Sequence, residues 1–182
     1  SIFAGFCSTD CLRQLLAAGL LPLLVAAMTE ANEQRESSNI VQDSELYLCV
    51  STLTALARNG ALREQLLEEG LAEAFGYLAF TESMKMGSAA EKPSAAYIQA
   101  AFGLASLVGQ EENHPAISKD IDRTISWMVD GLRAALDSRP WPEARPPTLW
   151  VVTHGVASMA IADCNKDKLG AAGAIPLLIR VL

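Results

Sequence analysis

The fold class this 182-residue chain predicts is all-α, a right-handed α-solenoid of about three and a half three-helix repeats. Three observations carry that prediction. Half of the residues are hydrophobic, 51%, but only 6% are aromatic, so the apolar mass is Leu, Ala, Val and Ile and favours helices over a sandwich of strands. Four segments repeat one layout in register. Polar or proline-rich stretches recur at equivalent places between the apolar runs.

The repeated segments read Leu15-Leu-Ala-Ala-Gly-Leu-Leu-Pro-Leu-Leu-Val25, Leu66-Leu-Glu-Glu-Gly-Leu-Ala-Glu-Ala-Phe-Gly76, Ala116-Ile-Ser-Lys-Asp-Ile-Asp-Arg-Thr-Ile-Ser126 and Leu169-Gly-Ala-Ala-Gly-Ala-Ile-Pro-Leu-Leu-Ile179. Their anchors Gly19, Gly70, Asp120 and Gly173 are spaced 51, 50 and 53 residues apart. Leu24, Phe75, Ile125 and Leu178 follow the anchors by five positions, and Ala27, Leu78, Met128 and Val181 by eight. Phe6, Ala57, Leu107 and Ala160 precede them by thirteen. Several apolar positions kept in one register outweigh any single coincidence.

Each unit divides into three helices. The first is short and ends at the anchor, where Gly (or Asp) permits a tight left-handed turn. The second starts just beyond it, with Pro22 and Pro176 in its first turn, where proline costs no hydrogen bond. The third is longer and covers about 44–58, 94–108 and 148–162; Leu46, Val50, Leu53 and Leu56 show its 3.6-residue period. Loops are expected over 29–43, 81–93 and 137–147, the last because the prolines of Arg139-Pro-Trp-Pro-Glu-Ala-Arg-Pro-Pro147 break a helix. The whole of 1–182 is thus one domain, with units near 10–60, 61–111 and 112–164 and partial units at 1–9 and 165–182. A start without Met and an end inside an apolar stretch predict a piece of a longer protein.

Charge and motif content narrow the function. Fourteen Lys and Arg against 21 Asp and Glu give a net charge of −7, with no basic run, which excludes the counterion-displacing face of a duplex nucleic-acid binder. An anionic membrane surface is disfavoured for the same reason, and the uncharged runs 14–29, 93–110 and 146–162 are each interrupted, so no membrane insertion is expected. A protein or peptide partner with basic residues fits the charge. Cys7, Cys11, Cys49 and Cys164 form no CxxC, and His114 and His154 complete no zinc spacing, so no metal or cofactor is expected. Buried thiols in a reducing compartment are the expectation, which places the chain in the cytoplasm or nucleus. No nucleophile motif or phosphate loop is present. Glu68-Glu69 and Glu111-Glu112 are neighbours that point about 100° apart on a helix, so they read as solvated helix ends and not as an acid–base pair. No catalytic residue is assigned, and the chain reads as no enzyme.

With these residues in hand, Asn165-Lys-Asp-Lys-Leu-Gly-Ala-Ala-Gly-Ala-Ile-Pro-Leu-Leu-Ile-Arg-Val-Leu182 resembles the first two helices of an armadillo (armadillo/HEAT-like) repeat, and Leu12-Arg-Gln-Leu-Leu-Ala-Ala-Gly-Leu-Leu-Pro-Leu-Leu24 matches in the same way. The second and third units lack the proline, and the third also lacks the glycine. The family's unit is near 42 residues, and the excess here falls between second and third helices. The resemblance implies a eukaryotic, non-enzymatic scaffold or adaptor whose third helices line a concave groove for a partner segment. A regulatory or ligand-sensing domain of a larger enzyme or signalling protein is the alternative. Peptide-binding members carry Trp-x-x-x-Asn on the third helix. In register, the Trp positions are Ser51, Ala101 and His154 and the Asn positions Ala55, Ala105 and Ser158, so neither ladder survives.

One turn earlier on the same helices stand Tyr47, Tyr97 and Trp150, whose spacings of 50 and 53 equal the repeat offsets. Either they form a ladder along a groove or each fills the same pocket between stacked units. The groove reading makes Tyr47, Ser51, Tyr97, Trp150, His154 and Ser158 the partner-binding set.

Overall fold

The computed structural model describes residues 8–37, 42–82, 95–108, 113–140 and 148–182, and every regular element among them is helical. In chain order these are α1 (Thr9–Ala17), α2 (Leu20–Ser37) and α3 (Gln42–Ala57), then a 3-10 turn (Gly60–Leu62) leading into α4 (Arg63–Glu68). Next come α5 (Leu71–Gly76), which runs on as a π-helical segment (Tyr77–Glu82), and α6 (Ala95–Ser106). The remainder are α7 (Pro115–Ser118), α8 (Ile121–Leu136), α9 (Leu149–Met159), α10 (Asp163–Ala171) and α11 (Ala174–Ile179).

The four anchors make the same turn. Gly19 donates to Leu16, Gly70 to Leu67, Asp120 to Ile117 and Gly173 to Gly170, all backbone N–H···O bonds of 2.8–3.1 Å. The three glycines do so at φ of 84–89°, the left-handed region. Asp120 corrects the expectation: its φ is −113°, because a Cβ makes the left-handed conformation costly. Its carboxylate lies where a side chain at Gly76 of α5 would project. In the first two units the first helix begins with a matching cap eleven residues before its anchor: Ser8 Oγ accepts from the Cys11 amide and Asn59 Oδ1 from the Ala61 amide.

The helices expected third in each unit, α3, α6 and α9, lie side by side, with α6 between the other two. α2 covers α3, α5 and α8 both pack on α6, and α8 covers α9; α10 and α11 close the far side of α8. Nearly all of α6 is buried, from Ala96 through Ala105, as an apolar helix with neighbours on each side must be. Two glycines let second and third helices approach closely. A side chain at Gly103 would collide with the Phe75 ring, and one at Gly155 would meet Met128 Sδ at 2.8 Å. Between units, the Asn113 and Asn165 amides bond reciprocally at 2.8 and 3.0 Å, and Asn165 also donates to the Met159 carbonyl.

Two further expectations change. The stretch 29–43 is not a loop throughout, since α2 continues to Ser37; its polar residues Glu30, Glu33, Gln34 and Arg35 are good helix formers, so polarity here does not break the helix. The thiols are not uniformly buried: Cys11 and Cys164 are exposed and Cys49 is half-buried. Residues 83–93 and 141–147, Cys7, Phe6 and Glu111-Glu112 lie outside the described residues. No single described helix is long and apolar enough to cross a membrane; α1 and the first part of α2 reach that length only as a pair bent by 72°.

Candidate partner-binding cleft

Where α3, α6 and α9 meet, a cleft of about 50 Å³ opens between Thr54 and Arg58, Gln99, Phe102 and Ser106, and Val151, His154 and Gly155. Its walls are fixed locally. Thr54 Oγ1 donates to the Gln99 carbonyl at 3.1 Å, tying α3 to α6. Ser106 Oγ donates to the Phe102 carbonyl four residues back, a bond a helical serine makes readily. Gly155 leaves room beside Phe102 and Met128 that a side chain would fill.

A stacked cluster stands at the mouth of the cleft. Trp150 and His154, four residues apart on α9, are stacked with ring centroids 5.4 Å apart and planes 5° from parallel. Arg58, just past the end of α3, sets its guanidinium carbon 4.7 Å from the centroid of the Trp150 ring. Loss of solvation pushes the His154 imidazole below its ordinary range, and the positive charge of Arg58 pushes it the same way. The imidazole is therefore neutral at pH 7, and Arg58 is the cation of the cleft. Among the described residues no carboxylate pairs with it.

The six residues singled out from the sequence separate. Trp150 is 61% exposed, Tyr47 is 41% exposed, and His154 is exposed too. Ser51 and Ser158 are partly buried on the helices of Tyr47 and His154, and Ser51 Oγ is enclosed with no hydrogen-bond partner among the described residues. Tyr97 is 2% exposed and belongs to the core, which corrects its assignment to the partner-binding set. Its hydroxyl donates to Asn32 Oδ1 at 3.2 Å, and Asn32 sits on the very turns of α2 that the sequence reading took for loop. The aromatic register is real, but its middle copy is packing and its outer copies reach solvent.

Arg58, Gln99 and Thr54 escaped the sequence reading because none recurs at equivalent positions in the other units. The only usable signal for Arg58 is a cation at the very end of an apolar helix. A second, open groove of about 530 Å³ lies between α2 and α3, with Ala27, Ala31 and Leu48 as its apolar part and Glu30 and Glu45 at its edge. Cys49 also lines it; burial, with help from Glu45, pushes its thiol up and away from nucleophilic use. Among the described residues no group of three His, Cys, Asp or Glu is placed to hold a metal ion. Comparisons of the chain with protein-family models, with characterised proteins and with solved structures find no match.

Proposed function

We propose that the chain is a non-enzymatic interaction scaffold, an armadillo-like right-handed solenoid whose third helices receive a segment of a partner protein. The observation that carries this reading is the exposed cluster of Trp150 and His154 on α9 with Arg58 at the end of α3, beside three third helices that lie side by side. Large aromatic and Arg side chains that project over a cleft are the usual energetic anchors of a protein interface. The in-register anchor turns and the reciprocal Asn113–Asn165 pair between units support a stacked-repeat architecture. Size weighs against the ligand-sensing alternative at this place: about 50 Å³ is far below the roughly 300–1,000 Å³ of small-molecule pockets. The net charge of −7 and the glutamates beside the α2/α3 groove favour a partner that carries Lys or Arg elsewhere along its length. A reducing, cytoplasmic or nuclear setting goes with this reading.

Selection of binders from a random-peptide display library against the 182-residue chain tests the proposal. Peptides that lose about tenfold or more in affinity on Trp150→Ala, with the unfolding midpoint unchanged, are expected. A library that yields no peptide sensitive to Trp150 would contradict it.

A further inference from the structure

We propose that the cleft between α3, α6 and α9 recognises one carboxylate, the side chain of an aspartate or glutamate in the partner segment, through Arg58. This inference rests on the scaffold reading above and names the chemistry of one contact within it.

The charge of the whole chain points to a basic partner, and Trp150 by itself would suit a cation on its ring. The geometry at this spot reverses that local expectation. The Trp150 ring already carries the chain's own guanidinium, with Arg58 Cζ 4.7 Å from the ring centroid, and stacks on His154. A partner Lys or Arg brought here would face Arg58 and be repelled. What the site lacks is an anion. Contact with an aromatic face uses no hydrogen-bond donor, so the N–H groups of Arg58 still seek an acceptor, and a carboxylate matches their fork with two parallel bonds.

The surroundings fit the same conclusion. Arg58 and His154 are the titratable groups of the cleft; the remaining lining from α3, α6 and α9 is Thr54, Gln99, Phe102, Ser106, Val151 and Gly155, none of which would repel an anion. Gln99, also in the lining, carries a neutral amide and so adds no charge opposed to an anion.

The test uses small ions first and peptides second. Sodium acetate is titrated into the full chain at constant ionic strength while the Trp150 indole N–H and the His154 ring signals are followed by NMR, with chloride and methylammonium as controls. A saturable shift with acetate alone is expected, together with a rise in the His154 titration midpoint as a negative charge arrives beside it. Arg58→Gln should abolish the response, and Arg58→Lys should weaken it severalfold; Arg58 is exposed, and each variant's unfolding midpoint confirms its fold. No saturable shift, or inorganic phosphate binding tenfold tighter than acetate, would overturn the proposal. In display-selected peptides that depend on Trp150, one Asp or Glu is expected at a fixed position, and its replacement by Asn or Gln should cost about tenfold in the wild type and nothing in Arg58→Gln. Trp150-dependent peptides without an acid would overturn this inference and leave the scaffold reading standing. Absence of any such peptide would defeat the scaffold reading, and the acetate titration would still decide this one.

Discussion

α6 and its neighbours α3 and α9 hold equivalent places in three successive sequence units, yet their aromatic residues have opposite surroundings. Tyr97 on α6 is 2% exposed, with its hydroxyl bonded to Asn32, whereas Tyr47 on α3 and Trp150 on α9 are 41% and 61% exposed. Nothing in the local sequence separates them, since all three begin an apolar helix with the same spacing to the next anchor. The difference is positional. Among the described residues, α6 has a third helix on either side and the end of α2 over its tyrosine, while α3 and α9 each meet one third helix, α6. An interior copy of a repeated residue becomes core and an outer copy becomes surface, so repetition alone reports equivalence of place and not of role.

This contrast can be broken most forcefully at its buried end. Tyr97→Ala should cost about 3–5 kcal/mol, the range for emptying a large buried aromatic site, with a matching fall in the urea midpoint. Tyr97→Phe keeps the ring but strips Asn32 of its donor, and about 1–3 kcal/mol is expected to go with it. Gly103→Ala should cost a similar 1–3 kcal/mol by overpacking against Phe75, although both residues are apolar. On α3, Ser51→Ala removes an enclosed hydroxyl that has no partner among the described residues and should leave stability unchanged or raise it by about 1 kcal/mol; a loss would show that Ser51 finds an acceptor.

The smallest effect concerns pH. The folded state holds the His154 imidazole below its unfolded value near 6.5, so the unfolded chain takes up that proton first as pH falls. Stability is therefore full above about 6.5, declines as the pH drops from there toward the folded value, and loses nothing more beneath it. His154→Gln should flatten that part of the stability profile, and Arg58→Gln should move its lower edge upward by removing the second cause of the shift.

Those outcomes bear on what the sequence made legible. Helical periodicity and the anchor register located α3, α6 and α9 within a few residues, because burial of an apolar stripe and a turn bond are local demands. The end of α2 was not legible, since polar helix formers look like loop until a tertiary partner such as Tyr97 meets Asn32. Trp150 and His154 were found as an i, i+4 pair, but Arg58 was not, because its contact with Trp150 spans 92 positions of sequence and joins helices that no short-range pattern connects. Close approach at Gly103 and Gly155 was equally silent in the sequence, where a glycine inside an apolar helix reads only as a weak former.

The paired measurement on Trp150→Ala tests the contrast most directly. Its unfolding midpoint and its affinity for a display-selected peptide are to be determined on the same preparation. An exposed residue whose role is contact should leave stability within about 0.5–1 kcal/mol of the wild type, while affinity falls tenfold or more. A loss of several kcal/mol with affinity unchanged would place Trp150 with Tyr97 in the core and contradict the account.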